Sequence, residues 1–211
     1  MSATAKEQMI RMDLKARGID DPGVLRAMRT VAREAFLPKS LKACAYDDCP
    51  LPLMQGQTIS QPYIVAAMTQ MLQLRPGARV LEIGSGSGYQ AAVLAQIAAE
   101  VHSVERIPEL AEVARTNLSA AGVDNVQIHL GDGWNGWPMA APYDGILVTA
   151  ASERVPEPLI EQLRPDGRLI IPIGPAAEVQ SLMELYKKPD GEILQIKRMA
   201  VRFVPFISSH A

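Results

Sequence analysis

Arg79-Val80-Leu81-Glu82-Ile83-Gly84-Ser85-Gly86-Ser87-Gly88-Tyr89 runs from a short apolar segment into glycines at alternate positions, and a helical pattern over residues 90–99 follows at once. Residues 80–83 read as a buried strand. Glycines at a strand-to-helix turn supply positive φ and let a ligand come close to the main chain. Strand, glycine turn and helix in that order open a parallel sheet wrapped by helices, and the chain on the C-terminal side repeats the alternation.

Strands are expected at 101–105, 126–130, 143–149 and 168–173, with helices at 108–121 and 156–163 between them. The first of these helices opens on Pro108 and stops at Gly122. Strand 126–130 breaks at Gly131-Asp132-Gly133, and helix 156–163 ends at Pro165-Asp166-Gly167. After Gly174-Pro175 the pattern changes. Residues 180–188 and 192–206 alternate around Pro189-Asp190-Gly191, which predicts an antiparallel pair closing the sheet.

On the N-terminal side, 5–17 reads as an amphipathic helix closed at Gly18, and 20–36 as a second, opened by Asp20-Asp21-Pro22 and ended by Phe36-Leu37-Pro38. Arg26, Arg29 and Arg33 are expected on its solvated face. Residues 39–61, punctuated by Pro50, Pro52 and Gly56, show little periodicity; a long loop inside a compact domain is often functional. It leads into a helix over 63–74, for which Ser60, ahead of Gln61-Pro62, is placed as the N-cap. Without internal repeats, the expectation is a single α/β domain: N-terminal helices and loop (1–78), a βα core (79–174) and C-terminal antiparallel strands (175–211).

At 211 residues the chain is long enough for one sizeable core. Its 48% hydrophobic and 21% charged residues exclude a disordered class. A net charge of -2 and a pI of about 5.9 provide no basic field for nucleic acid. No run approaches the ~18 apolar residues of a membrane span. Neither nucleic acid nor membrane is an expected partner. The start, Met1 to Glu7, lacks the basic and apolar segments of a signal peptide. Cys44 and Cys49 read as free thiols in a reducing cytoplasm. With the scattered His102, His129 and His210 they match no zinc spacing, so no metal is expected.

The glycines at 84, 86 and 88 form G-x-G-x-G, whereas a dinucleotide turn has G-x-G-x-x-G and would place its third glycine at Tyr89. That weakens a pyrophosphate reading. A ribose reading stands, because Glu105 ends the next strand 21 residues after Gly84 and a carboxylate can accept from both ribose hydroxyls. Asp132, at the end of the third strand, is either a turn acid or a partner for the amino group of an adenine. All three strand ends lie side by side at the carboxyl edge, where such sheets bind ligands. Tyr89, Trp134 and Trp137 are read as packing residues rather than a base-stacking platform.

Residues 80–89, Val104-Glu105-Arg106-Ile107-Pro108, Gly131-Asp132-Gly133-Trp134 and Tyr143-Asp144-Gly145-Ile146-Leu147-Val148-Thr149 resemble the successive motifs of S-adenosylmethionine-dependent methyltransferases. Gln57-Thr58-Ile59-Ser60-Gln61-Pro62, Pro165-Asp166-Gly167-Arg168 and Val201-Arg202-Phe203-Val204-Pro205-Phe206 resemble one family among them, the protein-L-isoaspartate (D-aspartate) O-methyltransferases. The likeness runs over residues 22–206. It implies a Rossmann-like class I methyltransferase fold: a mostly parallel twisted sheet with helices on both faces, an N-terminal helical extension and an antiparallel C-terminal strand pair. The cofactor it implies is S-adenosyl-L-methionine, leaving as S-adenosyl-L-homocysteine. The activity it implies is repair: methylation of the free α-carboxylate of L-isoaspartyl residues in damaged proteins and peptides, giving an ester that closes to a succinimide. Ser60 would sit in the active site. Thr58, Ile59, Gly84, Ser85, Gly86, Gly88, Glu105, Arg106, Asp132 and Gly133 would surround the cofactor, in a cytoplasmic monomer.

The chemistry suits these residues. A carboxylate is ionised at neutral pH and needs no general base. A neutral hydroxyl such as that of Ser60 can align it without quenching it as a close Lys or Arg would. The resemblance further implies a substrate peptide lying along the backbone of 171–174 and 201–206. Ser152-Glu153-Arg154 departs from the family, which often has proline after the residues matching Ala150-Ala151. A methyltransferase acting on RNA or a small molecule would share the cofactor motifs. A nucleotide-binding module without activity would need only 84–88 and Glu105, leaving 58–62 unexplained.

Overall fold

The structure, a computed structural model, describes residues 2–175 and 177–208; His210, with the end of the unassigned tail at 207–211, lies outside them. Helix α1 (Ser2–Met9) runs on through a π turn (Ile10–Leu14) and a 3-10 turn (Lys15–Arg17) to Gly18, which closes it at φ 90°. Helix α2 (Pro22–Thr30) is capped by Asp21, whose Oδ1 accepts from the Val24 N–H at 2.9 Å. It stops short of the predicted residue 36. Val31 is extended, and Arg33–Phe36 form a separate 3-10 turn. The break turns Arg33 inward. It is fully buried, while Arg26 and Arg29 are exposed, so the expected basic face is real only for those two.

The 39–61 stretch has more order than its lack of periodicity predicts. A 3-10 turn (Lys39–Cys44) precedes a minimal antiparallel ladder, β1 (Leu51–Pro52) on β2 (Thr58–Ile59), closed by a hydrogen bond from Leu53 N to the Gln57 carbonyl at 2.7 Å. Helix α3 (Pro62–Met71) follows. Its N-cap is Gln61 rather than Ser60, because Pro62 takes the first helical position and holds Gln61 extended (φ −63°, ψ 147°). No side chain of that segment caps it. Instead Asp48, from the loop, accepts from the Tyr63 N–H at 2.8 Å.

The main sheet comprises β3 (Arg79–Ile83), β4 (Glu100–Glu105), β5 (Val126–Leu130), β6 (Tyr143–Val148), β7 (Leu163–Ile173), β8 (Gln180–Lys187) and β9 (Ile193–Val201). Helices α4 (Tyr89–Ala95), α5 (Pro108–Ala120) and α6 (Glu157–Glu161) lie between its first five strands. Strand order is β5-β4-β3-β6-β7-β8-β9, with parallel pairing through β7 and antiparallel pairing from β7 to β9. Val80, Leu81, Ile146, Leu147, Leu169 and Ile170 are fully buried, each such side chain stabilising the fold by roughly 1.5–3 kcal/mol. The chain runs outward from β3 to β5 and then returns past β3 to β6. That reversal opens a crevice at the carboxyl ends of β3 and β6.

Two strand expectations are corrected. The turn at Pro165–Gly167 is present, but as a bulge inside β7: Tyr143 pairs with Leu163 and Gly145 already with Arg168. Strand β9 ends at Val201 rather than at 206. Residues 202–208 leave the sheet and cross the carboxyl end of β6, where Ala151 N donates to the Val204 carbonyl (2.8 Å) and Phe206 N to the Ala151 carbonyl (2.7 Å). No helix among the described residues is long and apolar enough to cross a membrane.

Candidate active site

The glycine turn between β3 and α4 is held from two sides. Thr149, just past β6, places its Oγ1 3.0 and 2.9 Å from the carbonyls of Ile83 and Gly84. A Cβ on Gly84 would stand 2.3 Å from that oxygen, and φ there is 95°, so both space and backbone require glycine. From the other side, Glu105 closes β4 with its carboxylate turned to the main chain. Oε2 accepts from Gly86 N at 3.0 Å, and Oε1 from Arg106 N and Ile107 N at 2.8 and 2.9 Å. Three of its roughly four lone-pair directions are thereby used. About one is left for a ligand, fewer than the two ribose hydroxyls expected of it.

Beneath the turn lies a buried polar chain. The carboxyl of Glu82 accepts from Ser103 Oγ, and Ser103 Oγ is 2.6 Å from Ser85 Oγ in the glycine turn. The other oxygen of Glu82, Oε1, has no partner among the described residues. Burial pushes the Glu82 carboxyl up to about 8, so at neutral pH it is largely the neutral acid.

These elements wall a cavity of about 510 Å³, within the usual range for small-molecule sites. Thr58, Ile59 and Ser60 enter it from the β1–β2 ladder, Gly84, Ser85 and Gly86 from the turn, and Glu105, Arg106 and Gly133 from the neighbouring strand ends. The predicted residues are therefore brought together, with two outside the wall. Gly88 faces α5, where a Cβ would come within 3.2 Å of Leu118. Asp132 is used as a turn acid, with Oδ1 accepting from Trp134 N at 3.0 Å and Oδ2 3.1 Å from Ser208 Oγ. The Ser60 hydroxyl makes no hydrogen bond to a described residue, whereas its carbonyl accepts from Arg33 Nη2 at 3.0 Å.

Sequence reasoning missed several members of this wall. Arg17 reaches the cavity from the N-terminal helices, with its guanidinium 3.5 Å over the Tyr63 ring and 2.6 Å from Asp48 Oδ2. Nothing in the local sequence points to that contact. Gln90 lines the wall through a bond to Thr69 Oγ1 at 2.9 Å. Arg202 is exposed at the rim and forms no ion pair with a described residue; the sequence reading places substrate along 201–206 without singling out this side chain. Three arginines (17, 106 and 202) against Glu105 leave the wall net positive. Tyr89 packs as expected, buried against Phe36 at 5.7 Å between ring centroids. His102 and His129 are not scattered: Nδ1 of one is 2.9 Å from Nε2 of the other. Among the described residues no cluster of His, Cys, Asp and Glu is arranged to hold a metal ion.

The sequence matches known proteins over nearly its whole length. The family model described as Protein-L-isoaspartate(D-aspartate) O-methyltransferase (PCMT) matches residues 4–211. A protein-L-isoaspartate O-methyltransferase of Methanoculleus marisnigri is 54% identical over 202 residues, 96% of this chain and 91% of the relative. One from Opitutus terrae is 53% identical over 201 residues, 95% of this chain and 86% of the relative. Among solved structures, a protein-L-isoaspartate O-methyltransferase superposes with a TM-score of 0.85 at 34% identity; the match covers 95% of this chain and 65% of that one, so this chain spans about two thirds of its length. The Plasmodium falciparum enzyme solved with S-adenosyl-L-homocysteine gives 0.80 at 28% identity, over 96% of this chain and 97% of that one.

Proposed function

The chain belongs to the protein-L-isoaspartate(D-aspartate) O-methyltransferase family, and from that premise we propose how its own residues carry the reaction. It is an S-adenosylmethionine-dependent protein carboxyl methyltransferase of the repair type, acting on the free α-carboxylate of L-isoaspartyl residues in damaged proteins and peptides. The donor, when bound, supplies a methyl group on a positively charged sulfur. The site suits it: side-chain-free main chain at Gly84 and Gly86 borders the cavity, and the Glu105 carboxylate is fixed beside it. Gly84, Ser85, Gly86, Glu105, Arg106 and Gly133 would hold it, with Thr58 and Ile59 on the facing wall. Gly88 acts indirectly, through the shape of the turn. Asp132, outside the cavity wall, would contact the adenine end as an acceptor in addition to its bonds from Trp134 N and Ser208 Oγ.

The observation that carries the reading is Ser60, whose hydroxyl has no partner among the described residues, in the same cavity wall as the glycine turn and Glu105. A substrate carboxylate arrives ionised, so no residue has to remove a proton. Ser60 donates one hydrogen bond to a carboxylate oxygen and orients the other. Apolar side chains such as Ile59, Ile83 and Phe206 exclude water from the anion. The positive wall favours entry of an anionic group. The protein would work as a monomer in the cytoplasm, without nucleic acid; in support, its two cysteines are free thiols and its overall charge is -2. The test is transfer of labelled methyl to paired peptides differing only in one isoaspartyl or one normal aspartyl residue. Label in the isoaspartyl peptide alone is expected. Label in neither would overturn the reading.

A further inference from the structure

Arg33 is the largest fully buried side chain among the described residues, and no carboxylate of a described residue lies within salt-bridge distance of it. Its hydrogen-bond partners are main-chain carbonyls; Cζ also lies 5.9 Å from the Tyr89 ring centroid, and Nε has no partner among the described residues. Nη1 donates to Ala45 at 2.7 Å and, at the limit of a hydrogen bond, to Asp47 at 3.5 Å. Nη2 donates to Cys49 at 3.2 Å and to Ser60 at 3.0 Å. Three of these acceptors are alternate residues of one bend, 45, 47 and 49, so the loop curls its carbonyls round a single cation. The fourth belongs to Ser60. One planar group thus ties the start of the 45–61 excursion to its end, at Ser60 in the cavity wall.

A buried cation held only by neutral acceptors is a costly way to fasten a loop, and a surface residue could not do the same work. The guanidinium has five donors in a fixed planar fork, and Nη2, shared between carbonyls 11 residues apart while Nη1 holds two in the bend, sets distances as well as contacts. A lysine in its place offers three donors on one atom and cannot span the same four acceptors. The charge itself lies behind the backbone of Ser60 rather than in the cavity wall, which does not include Arg33.

We propose that Arg33 is a positioning residue for methyl transfer: by binding the carbonyls of 45, 47, 49 and 60 together it sets where the Ser60 hydroxyl stands. This rests on the role given to Ser60 above. None of the hydrogen bonds of the clamp goes to the glycine turn or Glu105, and its one contact beside the turn is the Tyr89 ring 5.9 Å away, so loosening it disturbs chiefly the acceptor side of the cavity.

The experiment is a double-mutant cycle with R33K, R33Q and S60A, reading kcat/KM on an isoaspartyl peptide, S-adenosyl-L-homocysteine affinity and thermal midpoint for each. R33K and R33Q are expected to lower kcat/KM tenfold or more in the wild-type background. In the S60A background they should lower it less than threefold, because the residue they act through is already gone. S-adenosyl-L-homocysteine affinity should stay within threefold throughout. The proposal is overturned if either variant keeps wild-type kcat/KM. It is also overturned if the R33 and S60A losses simply multiply, or if neither R33 variant binds S-adenosyl-L-homocysteine, which would make Arg33 a folding residue only. Wild type that methylates no isoaspartyl peptide refutes the functional reading instead, a result separate from any of these.

Discussion

At the scale of single residues, Ser60 and Glu82 mark opposite uses of a polar group. The Ser60 hydroxyl is unpaired within the described protein and stands at a cavity, so it is available to substrate. Losing one hydrogen bond to a charged group costs about 1.5–3 kcal/mol, or roughly ten- to a hundredfold in rate. Ser60→Ala should therefore reduce kcat/KM on an isoaspartyl peptide by that factor while changing S-adenosyl-L-homocysteine affinity less than about twofold. Unaltered turnover would remove Ser60 from the mechanism. Glu82 is fully buried, paired through only one oxygen, with its carboxyl pushed by burial from 4.5 to about 8. Between those values the folded chain binds more protons than the unfolded one. Its contribution to stability is complete below about 4.5, declines as pH rises through the window and levels off above 8, at a slope of at most about 1.4 kcal/mol per pH unit. Glu82→Gln cannot titrate. Its urea midpoint relative to wild type should rise steadily from pH 5 to pH 8, and parallel curves for the two proteins would show that Glu82 does not titrate in that window.

At the scale of elements, one carboxylate in a loop holds three partners. Asp48 caps α3 through Tyr63 N, pairs with Arg17 at 2.6 Å and accepts from Gln61 Nε2 at 3.2 Å. Losing a cap costs about 1 kcal/mol and a partly exposed ion pair about 0–1 kcal/mol. Asp48→Ala should lower unfolding free energy by roughly 1–2 kcal/mol with an unchanged denaturant slope; a variant indistinguishable from wild type would mean the cap contributes nothing. The same contact shows where the sequence could and could not be read. Strands buried on both faces leave continuous apolar runs, and glycine and proline punctuate them locally, so β3 to β7 were legible. The glycine turn and Glu105 were legible for the same reason, since each is a short pattern beside a strand end, whereas the local pattern at 58–62 offered Ser60 only as an N-cap and its place beside a ligand came from the family resemblance. Arg26, Arg29 and Arg33 are spaced by three and four residues, which on a continuous helix is one face. Once α2 stops at Thr30 that spacing carries no meaning, and Arg33 turns in. The Asp48 cap joins residues far apart in sequence, and the early end of β9 depends on a pairing with Ala151. Neither has a local signature. Asp132 could be read either way, and its carboxylate is engaged in its own turn and with Ser208.

At the scale of the molecule, charge is distributed against its own sum. The chain carries -2 overall, yet the cavity wall carries Arg17, Arg106 and Arg202 against Glu105. An anionic substrate therefore approaches a body that weakly repels it through a mouth that attracts it. Of the three arginines, Arg17 is already paired with Asp48, and Arg106 stands on the donor side next to Glu105. Arg202 is exposed, forms no ion pair with a described residue and lies on the segment that crosses the carboxyl end of β6, so it should contribute most to the attraction that salt can screen. The Debye length falls from about 30 Å at 0.01 M to about 8 Å at 0.15 M, which leaves Arg202 effective only at short range in the higher salt. With the methyl donor saturating, kcat/KM for an isoaspartyl peptide lacking other charges should fall several-fold as ionic strength rises from about 0.01 to 0.5 M. Arg202→Gln should start lower and fall less steeply, while kcat at saturating peptide stays within about twofold, because the charge acts on encounter rather than on alignment. Equal salt slopes for the two proteins would place the attraction elsewhere on the wall, and a rise with salt would mean that the overall negative charge governs approach.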